Sequence, residues 1–315
     1  MHIDPYIVLG SAIIGLLVGM TGAGGGALMT PMLILLFGVT PAAAISSDLV
    51  AAVVMRPFGA AVHLRAGTVN LRLVRWMVLG SVPAAFLGAY LLHALGNTKS
   101  ASQHIETVLG VALLIGASAM ALRFVLDRRA GQSRLAIVHE IQPRRLRTIA
   151  IGVIGGLIVG MTSVGSGSLM IVLLLFLYPA IGANQLVGTD LTQAVPLTLA
   201  AALGALAFGH VVVDVTASLI IGSVPAVLVG SMLSSTVPDR YVRPAIAFVI
   251  FASGLKYVGL QTTALGWVLC ATLLAGAVMW LVFARPWQAG VAPADGTRLL
   301  GDQETEPQLV GDRET

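Results

Sequence analysis

The chain has 315 residues, of which 57% are hydrophobic and only 10% charged, with a mean hydropathy of +0.93. That composition excludes a water-soluble globule and marks an integral membrane protein. The formal net charge of +4 is not a nucleic-acid signature, because six arginines are concentrated between Arg128 and Arg147, where they report membrane topology instead.

In chain order, residues 1–5 lack the basic n-region of a cleavable signal, so the N-terminus is expected to be retained. Residues 5–39 are apolar but too long for one helix and carry a glycine motif near their centre. They read as a hairpin of two short helices or one discontinuous helix, shaped by Pro31 and Pro41. Runs long enough to cross the hydrocarbon core follow at 45–63, 76–95 and 105–126. After the arginine-rich stretch comes a second broken segment, 149–178, ended by Pro179, and then runs at 187–208, 216–236, 244–260 and 264–284. The runs are continuously apolar, without the alternation of an outer-membrane barrel, so helices are expected throughout. The expected organisation is a first membrane repeat at 1–127, a basic cytoplasmic linker at 128–147, a second membrane repeat at 148–260, an extra transmembrane helix at 261–284 and a disordered polar tail at 285–315. Cys270 is the one cysteine and sits in an apolar run, which leaves no disulfide framework and no cysteine metal cluster within one chain.

The two membrane repeats share their wording. GMTGAGGGALM at 19–29 returns as GMTSVGSGSLM at 160–170, SDL at 47–49 as TDL at 189–191, and GSVPA at 80–84 as GSVPA at 222–226. A duplicated membrane unit interrupted by glycine at matching places points to a transporter whose site lies between the halves. Lys and Arg in the short loops place 64–75, the linker and the turn with Arg240 and Arg243 in the cytoplasm, and put 96–104, 211–215 and 261–263 outside. The loop holding Arg65 is then inside while its counterpart with His210 and Asp214 is outside, so the copies are inverted. The expected fold is an all-α polytopic membrane protein: two inverted four-element repeats with glycine-broken first helices, plus a ninth C-terminal apolar helix.

The duplicated glycine motif, the SDL and TDL segments and the two GSVPA segments, spread over residues 10–259, resemble the TauE/SafE sulfite exporter family. The resemblance implies secondary transport of small sulfur-containing anions, such as sulfite or organosulfonates, outward across the plasma membrane. The second copy departs from the glycine-rich form, with Ser163, Val164, Ser166 and Ser168 where the first has Gly22, Ala23, Gly25 and Ala27.

Glycine lets a ligand approach the backbone, and helix N-termini within the membrane attract anions. Candidate substrate-binding residues are therefore Thr21, Gly22, Gly24, Gly25 and Gly26 in the first copy, with Thr162, Ser163, Gly165, Ser166, Gly167 and Ser168 in the second. Neither motif has the Lys and Ser/Thr of a P-loop, which argues against a nucleotide. Close packing of small residues four apart, such as Gly15 with Gly19 or Gly22 with Gly26, is the structural alternative. Asp48 and Asp190, read as lying at the starts of the helices after each hairpin, are candidates either for proton or ion coupling or for helix capping with Ser47 and Thr189. Gln193, one turn beyond Asp190, is a candidate donor to substrate or an interhelical contact.

Arg56 is the sharpest candidate, because an arginine inside an apolar run costs roughly 2.5 to 3.5 kcal/mol on insertion scales unless it is paired or snorkels. Asp48 lies about 12 Å away along the same helix, so a partner from another helix, the backbone or a bound anion is expected. His63, Arg65 and His210 read as interfacial anchors. No catalytic constellation, metal set or cofactor motif is present in the sequence, so an enzyme is not expected; the partners implied are a small anion and the bilayer, with no nucleic acid and with a homo-oligomer left open. An anion channel, or a permease for a non-sulfur anion, would share these features.

Overall fold

The computed structural model describes residues 3–21, 25–95, 99–130, 143–165, 167, 169–178, 181, 183–233, 239–261, 263–272 and 274. The expected linker at 128–147, the turn with Arg240 and Arg243, the ninth segment and the tail fall wholly or partly outside them. Ten helices occupy the unit Met1–Gly266: α1 Pro5–Thr21, α2 Gly26–Phe37, α3 Pro41–Arg65, α4 Leu71–Ala94, α5 Lys99–Ala130, α6 Arg145–Thr162, α7 Leu169–Leu177, α8 Ala183–Phe208, α9 Val213–Leu233 and α10 Asp239–Tyr257. An eleventh, α11, covers Thr263–Thr272.

Six helical stretches are long and apolar enough to cross a membrane: α3, α4, α6, residues 102–122 of α5, 185–208 of α8 and 213–230 of α9. The apolar part of α10, Pro244–Tyr257, is shorter than the span expected there. Because each broken element counts as two helices, the described residues hold eleven helices where nine elements were expected. The breaks are hairpins. Gly10 on α1 abuts Met32 on α2, and Gly155 on α6 abuts Met170 on α7, contacts that a chain continuing straight through could not make. At 1.5 Å per residue α2 and α7 reach only about 18 and 13 Å, short of the roughly 30 Å hydrocarbon core. They are return arms, whereas α6 alone is long enough to span, so the second hairpin is not a pair of short helices.

Local chemistry sets several helix ends. Gly38, in the left-handed conformation at φ 63°, ends α2 with its N–H on the Leu33 carbonyl. Pro41 sits in the first turn of α3, where its missing N–H costs nothing. Asn70 caps α4 by accepting from the Leu73 amide at 3.2 Å.

The two copies pack reciprocally. Gly152, Gly156 and Gly160 along α6 lie against the backbone of Met77, Ser81 and Ala85 on α4, so these helices run parallel and nearly touch. In the same way α1 lies along α9, with Gly15 against Ser223, Gly222 against Ser11 and Gly230 against Leu16. The GSVPA helix of each copy thus embraces the hairpin of the other, and these are the positions where small residues permit backbone contact. Arg145 at the start of α6 lies over the Trp76 ring of α4 at 5.2 Å, which fixes those two helix starts at one end of the pair.

Between these pairs, α3 and α8 run antiparallel: Ser46 meets Gly209, Gly59 meets Leu191, and His63 and Thr68 meet Gly188. Two hydrogen bonds lock this arrangement. Ser47 Oγ accepts from the Val212 amide at 3.1 Å, and Thr189 Oγ1 accepts from the Asn70 amide at 3.1 Å. The four residues are equivalent across the repeat, since Ser47 matches Thr189 and Asn70 matches Val212 at the same spacing. Each copy's hydroxyl therefore caps the turn into the GSVPA helix of the other.

Candidate functional site

The candidate site is where the hairpin breaks meet the α3–α8 pair. Gly26, at the first position of α2, is pressed against the Ser163 backbone at the other break, so closely that a Cβ there would collide with the Ser163 carbonyl. The two glycine motifs, separated by more than a hundred residues, thus touch. Ser163 itself adopts the left-handed conformation at φ 58°, ending α6 with its N–H on Val159 O. Gly165 at φ 113° and Gly167 at φ 94° continue the turn in conformations that disfavour any larger residue.

The hydroxyls of this turn differ in availability. Thr162 Oγ1 donates to Ile158 O at 2.6 Å and accepts from the Val164 amide at 3.2 Å, so it is engaged with its own backbone. Ser163 Oγ is buried and lies against the Asp48 carboxylate, and among the described residues it makes no other side-chain contact of hydrogen-bond kind. Gly22, Gly24, Ser166 and Ser168, together with the Thr21 side chain, lie outside the described residues, while Gly25 caps α2 in a right-handed conformation.

Asp48 and Asp190 are each 1% exposed, and they do not start their helices. They lie about two turns inside α3 and α8, because those helices begin at Pro41 and Ala183, before the apolar runs that mark hydrocarbon depth. Capping of their own helices is therefore ruled out, and the capping role belongs to Ser47 and Thr189 acting across the copies. Asp48 accepts from Thr30 Oγ1 of α2 at 2.9 Å. Asp190 accepts from Gln193 Nε2 at 3.2 Å, and Gln193 Oε1 accepts from Ser81 Oγ of α4 at 3.3 Å. Thr30 and Ser81 were not singled out from the sequence; Ser81 lies within the repeated GSVPA, whose other serine, Ser223, instead donates to its own helix at Leu219 O.

Arg56 lies between these carboxylates. On the α3–α8 ladder, Asp190 is next to the Leu191–Gly59 contact, one turn beyond Arg56, and Asp48 is two turns before it. Helical side chains tilt toward the N-terminus, which carries the guanidinium back in the direction of Asp48. Both carboxylates act on it electrostatically, Asp48 the more strongly. Yet Arg56 is only 9% exposed, and its two terminal nitrogens, Nη1 and Nη2, have no hydrogen-bond partner among the described residues. A buried guanidinium with its fork unused is costly, and it is matched by an anion with two oxygens in one plane.

His63 sits at the α3 exit with Nδ1 3.0 Å from Thr68 Oγ1, and the His210 ring lies 6.2 Å from that of His93, away from Arg56. Among the described residues no group of three or more His, Cys, Asp or Glu forms a metal-ligand set.

The profile described as Sulfite exporter TauE/SafE matches residues 7–257. The chain is 39% identical over 256 residues to the "Probable membrane transporter protein YjnA" of Bacillus subtilis (strain 168), covering 80% of this chain and 98% of that protein. It is 22% identical over 254 residues to the "Probable membrane transporter protein YdhB" of the same organism, covering 79% and 98%. No solved structure matches. With six stretches among the described residues long and apolar enough to cross a membrane and a family match from the first helix to the tenth, the chain is a multi-pass membrane protein of the TauE/SafE family.

Proposed function

We propose that the protein is a secondary transporter that exports small sulfur-containing anions, such as sulfite or organosulfonates, across the plasma membrane, with the anion held beside Arg56 where the two hairpin breaks meet. The observation that carries this reading is the guanidinium itself, buried and, among the described residues, with both terminal nitrogens unpartnered. An oxyanion satisfies such a fork with two charge-assisted hydrogen bonds. Gly25, Gly26, Ser163, Gly165 and Gly167 shape the wall of this site, Gln193 orients Asp190, and the carboxylate pair of Asp48 and Asp190 is where transport is coupled to an ion.

The description of the matched family supports a sulfur anion, and the two Bacillus relatives, described as membrane transporters, support a carrier. The copies are inverted in the membrane, and alternating access is a rocking of the α1–α9 and α4–α6 pairs around the α3–α8 axis.

The test is flux of radiolabelled sulfite, thiosulfate and methanesulfonate into proteoliposomes, with unlabelled anion on the far side. Saturable flux accelerated by the far-side anion is expected, since an open pore shows no such exchange. Arg56→Gln is expected to cut the rate about a hundredfold, equivalent to about 2.7 kcal/mol. Wild-type rates in that variant would move the site elsewhere, and absence of wild-type flux for all three anions would overturn the sulfur-anion reading.

A further inference from the structure

Resting on the anion-transport reading of the Arg56 site, we infer that Asp48 carries the proton that accompanies each anion, while Asp190 stays ionised as a fixed counter-charge. Among the described residues, Arg56 is the charged side chain acting on Asp48, and Asp48 and Asp190 are those acting on Arg56. The α2 helix adds Thr30, and the α6–α7 turn adds Ser163.

With both carboxylates ionised the trio sums to one negative charge, so a monoanion entering beside Arg56 would double it in a buried space, at high electrostatic cost. The cost disappears when the anion replaces the Asp48 carboxylate as the counter-ion of Arg56 and the displaced carboxylate takes one proton from the aqueous side. One O–H bond forms, nothing is oxidised or reduced, and the site holds one negative charge both empty and loaded. Reorientation of the two forms then moves the same protein charge.

The hydrogen bonds assign this role to Asp48. Its partner is a hydroxyl, Thr30 Oγ1 at 2.9 Å, which donates to a carboxylate and, after rotation, accepts from a carboxylic acid without displacement of heavy atoms. The Ser163 hydroxyl, against the same carboxylate, is a second acceptor. Asp190 instead takes an amide N–H from Gln193, whose carbonyl is held by Ser81, and an amide N–H, unlike a hydroxyl, cannot turn to accept from a carboxylic acid.

The decisive probe is radiolabelled methanesulfonate, a monoanion at all working pH values, so any pH dependence belongs to the protein. If one proton moves with each anion, a gradient of about one pH unit, acid on the side of anion entry, concentrates the probe about tenfold in wild-type proteoliposomes. Asp48→Asn should still exchange labelled for unlabelled probe, at a rate now independent of pH, and should show no gradient-driven accumulation. Thr30→Val should displace the pH midpoint of exchange, and Thr30→Ser should restore it. Wild-type exchange that ignores the gradient, or accumulation by Asp48→Asn equal to wild type, overturns this assignment and leaves the transport reading standing. Absence of exchange for every anion tested in the wild type overturns both.

Discussion

An arginine and a lysine carry the same charge, but only the guanidinium presents a planar fork, and Nη1 and Nη2 of Arg56 are both unused among the described residues. Arg56→Lys should therefore preserve charge balance with Asp48 and Asp190 while losing bidentate grip. Transport should persist with a KM for sulfite raised about tenfold, near 1.4 kcal/mol, and a little-changed maximal rate, read from initial rates in proteoliposomes. A lysine variant as inactive as Arg56→Gln would point to geometry beyond anion binding. Arg56, Asp48 and Asp190 were legible in the sequence because a charge within an apolar run is conspicuous. Their partners were not: Thr30 and Ser81 are hydroxyls of a kind common in membrane helices, and only the fold brings them to a carboxylate or an amide. Asp48 and Asp190 were placed at helix starts because hydropathy marks where hydrocarbon begins, whereas α3 extends beyond it to Pro41.

At the level of helices, the glycines divide by what they face. Gly156 on α6 lies against the Ser81 backbone, which cannot step aside, whereas the nearest atoms to Gly59 on α3 are the Leu191 methyls at 3.8 Å, ordinary van der Waals contact. Gly156→Ala must push α4 and α6 apart and should destabilise the protein by about 1 to 3 kcal/mol, seen as a lower midpoint of thermal unfolding in detergent. Gly59→Ala should be within about 0.5 kcal/mol of wild type or slightly stabilising, since alanine favours the helix. Equal effects would mean that the α4–α6 contact is looser than described. The glycine breaks were legible as interruptions of apolar runs, and small-residue packing was legible as the alternative reading. The partner helices of Gly156 and Gly230 were not, because those contacts join different copies, as Gly230 does with Leu16.

The whole molecule is organised by its duplication, and the hydrogen bonds Ser47–Val212 and Thr189–Asn70 repeat it in three dimensions. Since α3 and α8 are antiparallel, the α3 exit at Ala66 and the α8 exit at His210 lie at opposite ends of that pair, although they hold equivalent places in the two copies. The arginines at 65, 72 and 75 predict a cytoplasmic first end, and the Arg145–Trp76 contact brings the start of α6 to that same end. Both exits are exposed, so single cysteines there can be labelled once the exposed native cysteine is removed by Cys270→Ser. In right-side-out vesicles a membrane-impermeant maleimide should modify His210→Cys and spare Ala66→Cys, and in inverted vesicles the preference should reverse. Labelling of both positions from one side would mean that the copies share one orientation, and the proposed rocking of two inverted units about the α3–α8 axis would then have no geometric basis.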